Sequence, residues 1–482
     1  MVCVLRNTFT GTLRTRSADI WPAVLAVLAA IVPVCRKVKI QIVLIRPARR
    51  IHGRLIVPGD KSISHRAAMI AAVAEGVSHL TNYSTSADCA ATLSCLRQLG
   101  VRIERAGNEV TIYGVGRDGL RVADAPLDCG NSGTTMRLLA GILAGCDFES
   151  TLTGDKSLRS RPMQRIIEPL GMMGAQISSH QGRAPLTVLG RGSLKAMNYE
   201  LLVASAQVKS CILFAGLRAE GKTTVIENEA TRDHTERMLK LFGANIETGK
   251  PKREPANARF ASLDGPAQLH ACDVDVPGDI SSAAYFIAAA ALLPESILEV
   301  NHVGLNETRV AFTEILQGLG CNVAIDDLSV QSNEPAGSVR VKGKETRTAA
   351  QINSPLNVNG LAIAKLIDEL PLLAVVGSQL PGGIEIRDAR ELRVKESDRI
   401  STTVENLRAM RARVEEFDDG LRVSGPTKLR GAKIDPHGDH RIAMAFAVAG
   451  LWAEGETEIV DAECVAVSFP EFFDLLESVV ER

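Results

Sequence analysis

Val57-Pro58-Gly59-Asp60-Lys61-Ser62-Ile63-Ser64-His65-Arg66 is the stretch whose reading decides the fold, because its first half returns downstream as Val276-Pro277-Gly278-Asp279-Ile280-Ser281-Ser282. Pro followed by Gly is tight-turn chemistry: Pro presets φ and Gly accepts a positive φ. The Asp and Ser that follow offer side-chain oxygens to cap a helix, and apolar runs continue both copies. Only the first copy adds Lys61, Ser62 and Arg66, a group suited to an anion at a helix N-terminus.

Working outward, a larger unit recurs: apolar helix, Gly and short strand, second helix, Gly and closing strand. Copies start at Ser64, Ser132, Ser205, Ser281, Asp368 and Asp439. The first four close on Leu99-Gly100, Met173-Gly174, Phe242-Gly243 and Leu319-Gly320. The Gly that ends each first helix, as in Ala74-Glu75-Gly76 or Ala144-Gly145, is expected at positive φ. Six units exceed one small core, so three plus three gives two pseudo-equivalent α/β domains joined at the two Val-Pro-Gly-Asp turns. The expected division is an extension over 1–48, one domain from 49–60 plus 274–482, and a second over 61–273.

Composition narrows the function. The chain has 482 residues with 45% hydrophobic and 23% charged content, the profile of a globular protein, and a net charge of −1. No global basic field awaits a polyanion, and 4% aromatics offer few stacking platforms, which argues against nucleic-acid binding. Ten cysteines without a Cys-x-x-Cys pair read as reduced thiols rather than a disulfide or zinc framework. Residues 1–59 hold a single acid, Asp19, and an apolar run, Ile20 to Val34, broken by two prolines and too short to span a bilayer. That segment reads as a start set too far upstream, and the rest as a cytoplasmic enzyme.

Taken singly, the polar motifs are bland. Gly59-Asp60-Lys61-Ser62 is not a phosphate loop, since Asp60 interrupts the Gly-Lys order. Cys129-Gly130-Asn131-Ser132-Gly133-Thr134-Thr135-Met136-Arg137 is a Gly-rich helix entry. Lys156 to Arg161 is a basic loop before a helix whose expected first residue is Pro162. Asp233 and His234 read as a helix cap and a surface histidine. Asp368-Glu369 precedes an apolar helix, Glu391 to Arg399 is a dense charge run, and Asp435-Pro436-His437-Gly438-Asp439-His440 favours a turn over a metal site. Together, however, Lys61, Arg66, Arg137, Arg161, Arg232, Lys395, Arg399 and Arg441 all stand near helix entrances, divided between the halves. Two such faces make a cationic cleft for small anions. Mutual repulsion is expected to hold them open until an anionic ligand bridges them.

These motifs in this order resemble the 5-enolpyruvylshikimate-3-phosphate synthase family from about Ile51 onward, through Gly-Asp-Lys-Ser-Ile-Ser-His-Arg, Gly-Asn-Ser-Gly-Thr, Leu-Arg-Val-Lys-Glu-Ser-Asp-Arg and Asp-His-Arg-Ile-Ala-Met. The resemblance implies the enolpyruvyl transferase fold, an inside-out α/β barrel in two domains of three βαβαββ units. It implies transfer of the enolpyruvyl group of phosphoenolpyruvate to the 5-hydroxyl of shikimate 3-phosphate, without metal or organic cofactor, by a monomer. By resemblance, Lys61, Ser62, Arg66, Ser205, Ala206, Gln207, Arg232, Asp368 and Lys395 would hold shikimate 3-phosphate. Lys61, Asn131, Gly133, Arg161, Gln207, Arg399 and Arg441 would surround phosphoenolpyruvate. Asp368 would accept the hydroxyl proton, and Glu396 with Lys395 would serve the methylene carbon, with Lys61 beside them.

Two features qualify the likeness. Many relatives place Lys before Ser/Thr-Phe-Pro, where this chain has Ala466 and Val467 before Ser468-Phe469-Pro470. Gly133 stands where glyphosate-tolerant relatives carry Ala, which implies sensitivity. The rival on this fold is UDP-N-acetylglucosamine enolpyruvyl transferase, which prefers Lys-Asn at Lys61-Ser62 and uses a loop Cys. A non-catalytic phosphate-ligand binder is the reading from another class.

Overall fold

The computed structural model describes residues 42–482 apart from 191, 252–254, 256 and 344–353. The expected set-back start and most of the extension lie outside the described residues.

The repeating unit is visible as helix, strand, helix and antiparallel hairpin. In the first unit these are Lys61–Val73, Glu75–Thr81, Ala87–Gln98, and Arg102–Ala106 with Glu109–Val115. The series continues from helices Gly133–Ala144, Ala206–Gly216, Ile280–Leu292, Leu370–Gly377 and His440–Trp452. The described strands form six sheets, matching the six units. Of the Gly residues after the first helices, Gly76, Gly221, Gly383 and Gly455 adopt the expected positive φ, +110°, +105°, +72° and +88°, and the Gly residues closing the second helices, Gly100, Gly174, Gly243 and Gly320, adopt it too. Gly145 departs from expectation: at φ −91° it continues the helical conformation, and the turn is completed by Cys146. Pro162 also starts no helix, since the next one begins at Gln164.

The chain crosses twice, and each crossing strand belongs to the half it leaves. Arg50–Ile56 pairs in parallel with Ile297–Gly304 of the fourth unit, then turns into the helix Lys61–Val73. Val274–Asp275 pairs in parallel with Leu80 and Thr81 of the first unit, then turns into Ile280–Leu292. Val43–Ile45, within the stretch read as an extension, pairs antiparallel with Thr457–Ile459. It supplies an outer strand that the last unit lacks.

Two hydrophobic clusters fill the interior. One gathers the first helices of units one to three, the other those of units four to six together with Ile45, Ile51, Leu55 and Val57. These helices are buried almost all round, unlike the amphipathic second helices. Each fully buried Leu or Ile is stabilised by about 1.5–3 kcal/mol. Close approach is built in: a Cβ on Gly141 would lie 2.2 Å from the Cys211 carbonyl oxygen of the neighbouring helix. Among the described residues no helix is long and apolar enough to cross a membrane.

Candidate active site

All six buried helices present their N-terminal ends to one cavity of about 660 Å³, lined among others by Lys61, Gly133, Ala206, Asp279, Asp368 and His440. Local sequence explains the entries. Asp60 accepts from Ile63 N–H at 2.9 Å, Ser132 from Thr135 N–H at 3.0 Å, Ser205 from Val208 N–H at 3.4 Å, Asp279 from Ser281 N–H at 2.8 Å and Asp439 from Arg441 N–H at 2.9 Å. Each cap satisfies an orphan donor, and the helix dipoles add positive potential to the same space.

The lining carries ten Lys and Arg against seven Asp and Glu, an excess of positive charge that suits an anionic ligand. The faces are not both cationic, which corrects the expectation of two mutually repelling surfaces. Arg232 bonds to Asp368, Arg161 Nη1 lies 3.5 Å from Glu396 Oε1, and Arg165 grips Glu391 in a fork of 3.0 and 2.8 Å, every pair joining opposite halves. Arg399 donates to Glu396 Oε2 at 2.5 Å and to Asp439 Oδ2 at 2.8 Å, while Arg441 Nη2 stands 3.4 Å from Asp368 Oδ2. Lys61 Nζ donates to Asp88 at 3.0 Å. Complementary charge therefore draws the faces together, and an anion entering must compete with these carboxylates for the guanidinium groups.

Titration follows from this crowding. Burial alone pushes the Asp368 carboxyl up, but Arg441, Arg232, Lys395 and Arg399 outweigh it and hold it well below the usual range. Glu396 behaves alike, with Arg399, Arg161, His440 and Lys61 overcoming burial. Burial leaves Lys395 below its ordinary value despite Glu391 and Asp368. Burial holds the His440 imidazole well down, and neither of its ring nitrogens has a hydrogen-bond partner. Arg161 Nε and Arg399 Nη1 are likewise buried without one. Buried donors left open in a cavity are positions a ligand can satisfy.

Comparison with known proteins agrees with this geometry. The sequence profile of the family described as "EPSP synthase (3-phosphoshikimate 1-carboxyvinyltransferase)" matches residues 45–476. The chain belongs to the EPSP synthase family. Among its relatives, a 3-phosphoshikimate 1-carboxyvinyltransferase of Koribacter versatilis is 51% identical over 91% of this chain and 99% of the relative. One of Desulforamulus reducens is 47% identical over 90% and 99%. The solved EPSP synthase of Acinetobacter baumannii superposes with TM-score 0.78 and 40% identity, covering 92% of this chain and 98% of that one. The enolpyruvyl transferase NikO of Streptomyces tendae, at 18% identity and TM-score 0.72, shares the fold.

Within this EPSP synthase family member, the sequence-selected Lys61, Ser62, Arg66, Gly133, Arg161, Ser205, Ala206, Gln207, Arg232, Asp368, Lys395, Glu396, Arg399 and Arg441 all line the one cavity. Asn131 stands behind it, with its Oδ1 accepting from Arg161 Nη2 at 2.6 Å. Arg66 has turned its donors inward, to Thr235 at 2.7 Å, Ser210 at 2.9 Å and the Ser62 carbonyl at 2.9 Å, tying three helices together. Ala466 and Val467 end the short helix Ala462–Val467 and are not lining residues. His234, expected at the surface, is 1% exposed and its Nδ1 is hydrogen-bonded to Glu334 at 2.8 Å, because the crossing brings the fourth unit's hairpin over it. Asp233 makes no cap and instead holds Arg237 and Asn306.

The sequence reading missed Asp88, Arg165, Glu391 and Arg309 as cavity groups. Asp88 lies in the first turn of a second helix, a position parallel to the chosen entries, and that was its only local signal.

Proposed function

We propose that the cavity binds shikimate 3-phosphate and phosphoenolpyruvate together and transfers the enolpyruvyl group to the 5-hydroxyl, releasing phosphate. The observation that carries this is the meeting of buried Arg161, Arg399 and Arg441 with Asp368, Glu396 and Lys395 in one cavity, Arg161 and Arg399 with open donors and the carboxylates and lysine placed for proton transfer. Each substrate brings a carboxylate and a phosphate, and planar guanidinium groups match both.

Shikimate 3-phosphate lies against Lys61, Ser62, Ser205, Ala206, Gln207 and Arg232, with Arg66 bracing the helices that carry them. Phosphoenolpyruvate lies among Lys61, Gly133, Gln207, Arg161, Arg399 and Arg441, with Asn131 aiming Arg161. In the addition step the 5-oxygen bonds to C2 of phosphoenolpyruvate, Asp368 takes the hydroxyl proton, and the methylene carbon gains a proton from Glu396, assisted by Lys395. In the elimination step that carbon returns a proton to Glu396, the double bond re-forms, the C2–oxygen bond to phosphate breaks, and the departing phosphate takes up the proton held by Asp368. Glu396 is an anion in the empty site. A substrate carboxylate and phosphate taking over Arg399 and Arg161 relieve that hold, so its carboxyl rises to where it can carry the proton.

The two clusters of core residues support a division into two such halves, 49–60 with the C-terminal part and the stretch from 61 onward, but Val274 and Val276 pack with the latter, which moves the second boundary from 273 to the turn at Pro277. A cavity completed within one chain supports a monomer, and reduced buried thiols support the cytoplasm. Among the described residues no cysteine lines the cavity, which disfavours the UDP-N-acetylglucosamine enolpyruvyl transferase reading. Phosphate release decides: it should require shikimate 3-phosphate and should not occur with UDP-N-acetylglucosamine. Release with the UDP-sugar, or with neither, overturns the reading.

A further inference from the structure

The two Val-Pro-Gly-Asp turns are in direct contact. Asp60 N–H donates to the Pro277 carbonyl at 2.8 Å and Asp279 N–H to the Pro58 carbonyl at 2.9 Å, with Gly59 and Gly278 forming an antiparallel bridge. No side chain fits at the first turn, since a Cβ on Gly59 would lie 1.7 Å from the Asn82 carbonyl oxygen. Each turn ends in an aspartate that caps a helix, and one further residue joins the two carboxylates. Arg309, 4% exposed, sends Nη1 to Asp60 Oδ2 at 3.1 Å and Nη2 to Asp279 Oδ1 at 3.2 Å.

The same guanidinium reaches both sides of the cavity. Arg309 Nη2 donates to Ser281 Oγ at 2.7 Å, and Ser281 Oγ donates to Glu369, the neighbour of Asp368. On the other side Asp60 precedes Lys61, whose own N–H is 3.4 Å from Asp279 Oδ2. A connected path thus runs from Lys61 through Arg309 to Asp368, and its two ends belong to opposite halves. We propose that Arg309 is a positioning residue that fixes Lys61 and Asp368 relative to each other by clamping both crossing turns with one planar cation.

The inference deepens the functional reading above and rests on it. It explains why both turns keep Asp although only the first is followed by Lys61, Ser62 and Arg66: the second Asp serves the clamp. A guanidinium holds two carboxylates in one plane, whereas an ammonium offers no such fork. A small misplacement of reacting groups costs rate far more than it costs ground-state binding.

The test uses Arg309→Lys and Asp279→Asn in the full chain, singly and combined, with kcat, the KM of each substrate, and the calorimetric Kd of shikimate 3-phosphate. Arg309→Lys is expected to lower kcat about ten- to a hundred-fold while that Kd stays within about three-fold. Asp279→Asn should act in the same direction, and the double variant should lose little more than Arg309→Lys alone, because both act through one clamp. Unchanged kcat per shikimate 3-phosphate-binding site, or losses that simply multiply, overturns the proposal. Should Arg309→Lys fail to fold, Asp279→Asn decides alone: a lowered kcat with retained Kd supports the clamp, and an unchanged kcat refutes it. A parent protein without transferase activity would be seen before any variant and would overturn the functional reading itself.

Discussion

Arg161 and Glu396 meet across the cavity, Nη1 to Oε1 at 3.5 Å, although they come from opposite halves of the chain. Glu396 also receives Arg399 at 2.5 Å, so one carboxylate occupies two of the cations assigned to phosphoenolpyruvate. Replacing it frees those cations while removing the proton carrier. Glu396→Gln should therefore lower kcat about 10²- to 10⁴-fold with no rise in the KM for phosphoenolpyruvate. Steady-state kinetics check this, and a raised KM with near-normal kcat would contradict it.

Asp368 shows the opposite balance of burial and charge to an ordinary buried acid. Burial pushes its carboxyl up, but Arg441, Arg232, Lys395 and Arg399 hold it well below the usual range. A carboxyl depressed in the folded state adds stability above its unfolded value of about 3.9, and that stability is lost as pH falls towards the folded value. Asp368→Asn should thus melt lower than the parent at pH 7, with the gap closing below about pH 4. A gap independent of pH in calorimetry would contradict the assignment.

Gly133 opens the helix Gly133–Ala144 beside two cations. An added Cβ would lie 2.8 Å from Arg137 Nη1, which is anchored to Gln207 at 2.6 Å, and 3.5 Å from Arg161 Nη1. Gly133→Ala should raise the KM for phosphoenolpyruvate by roughly ten-fold and weaken glyphosate inhibition more, leaving shikimate 3-phosphate affinity unchanged. Kinetics and calorimetry on the two proteins give the answer.

Lys209 lies two residues from Gln207 and is 1% exposed, with Glu227 at 2.9 Å and Glu236 at 2.7 Å. This buried triad joins the helix carrying Ser205 and Gln207 to the loop carrying Arg232. Lys209→Met leaves two buried carboxylates without their cation, so it should destabilise the fold by about 3–5 kcal/mol in denaturant titration. The KM for shikimate 3-phosphate should rise in the remaining folded protein.

The helix entries were legible because each is written locally, as a capping Asp or Ser beside a cation and before an apolar run. Lys61 and Arg441 were found in that way, whereas Gly133 and Gln207 were singled out only by the family resemblance. Repetition of the Leu-Gly closing pattern likewise carried the count of six units into six sheets. Contacts between distant segments had no such signature. Nothing near Arg165 names Glu391, and nothing near Arg309 names Asp60 and Asp279; only the crossings bring them together. His234 was misread for the same reason, since its burial depends on a hairpin a hundred residues away. Charge counting at the entries found the cations, and the resemblance supplied Asp368 and Glu396, but neither paired them with Arg232 and Arg161 of the other half, and so the electrostatic relation between the faces was inverted.

The most direct measurement is NMR of the purified protein with shikimate 3-phosphate and phosphoenolpyruvate in deuterium oxide. The account expects inorganic phosphate and an enol ether at the 5-oxygen to appear in equal amounts, with deuterium entering the methylene through the transient methyl of the addition step. Phosphate without the enol ether, or an enol ether whose methylene stays free of deuterium, would contradict addition and elimination in this cavity.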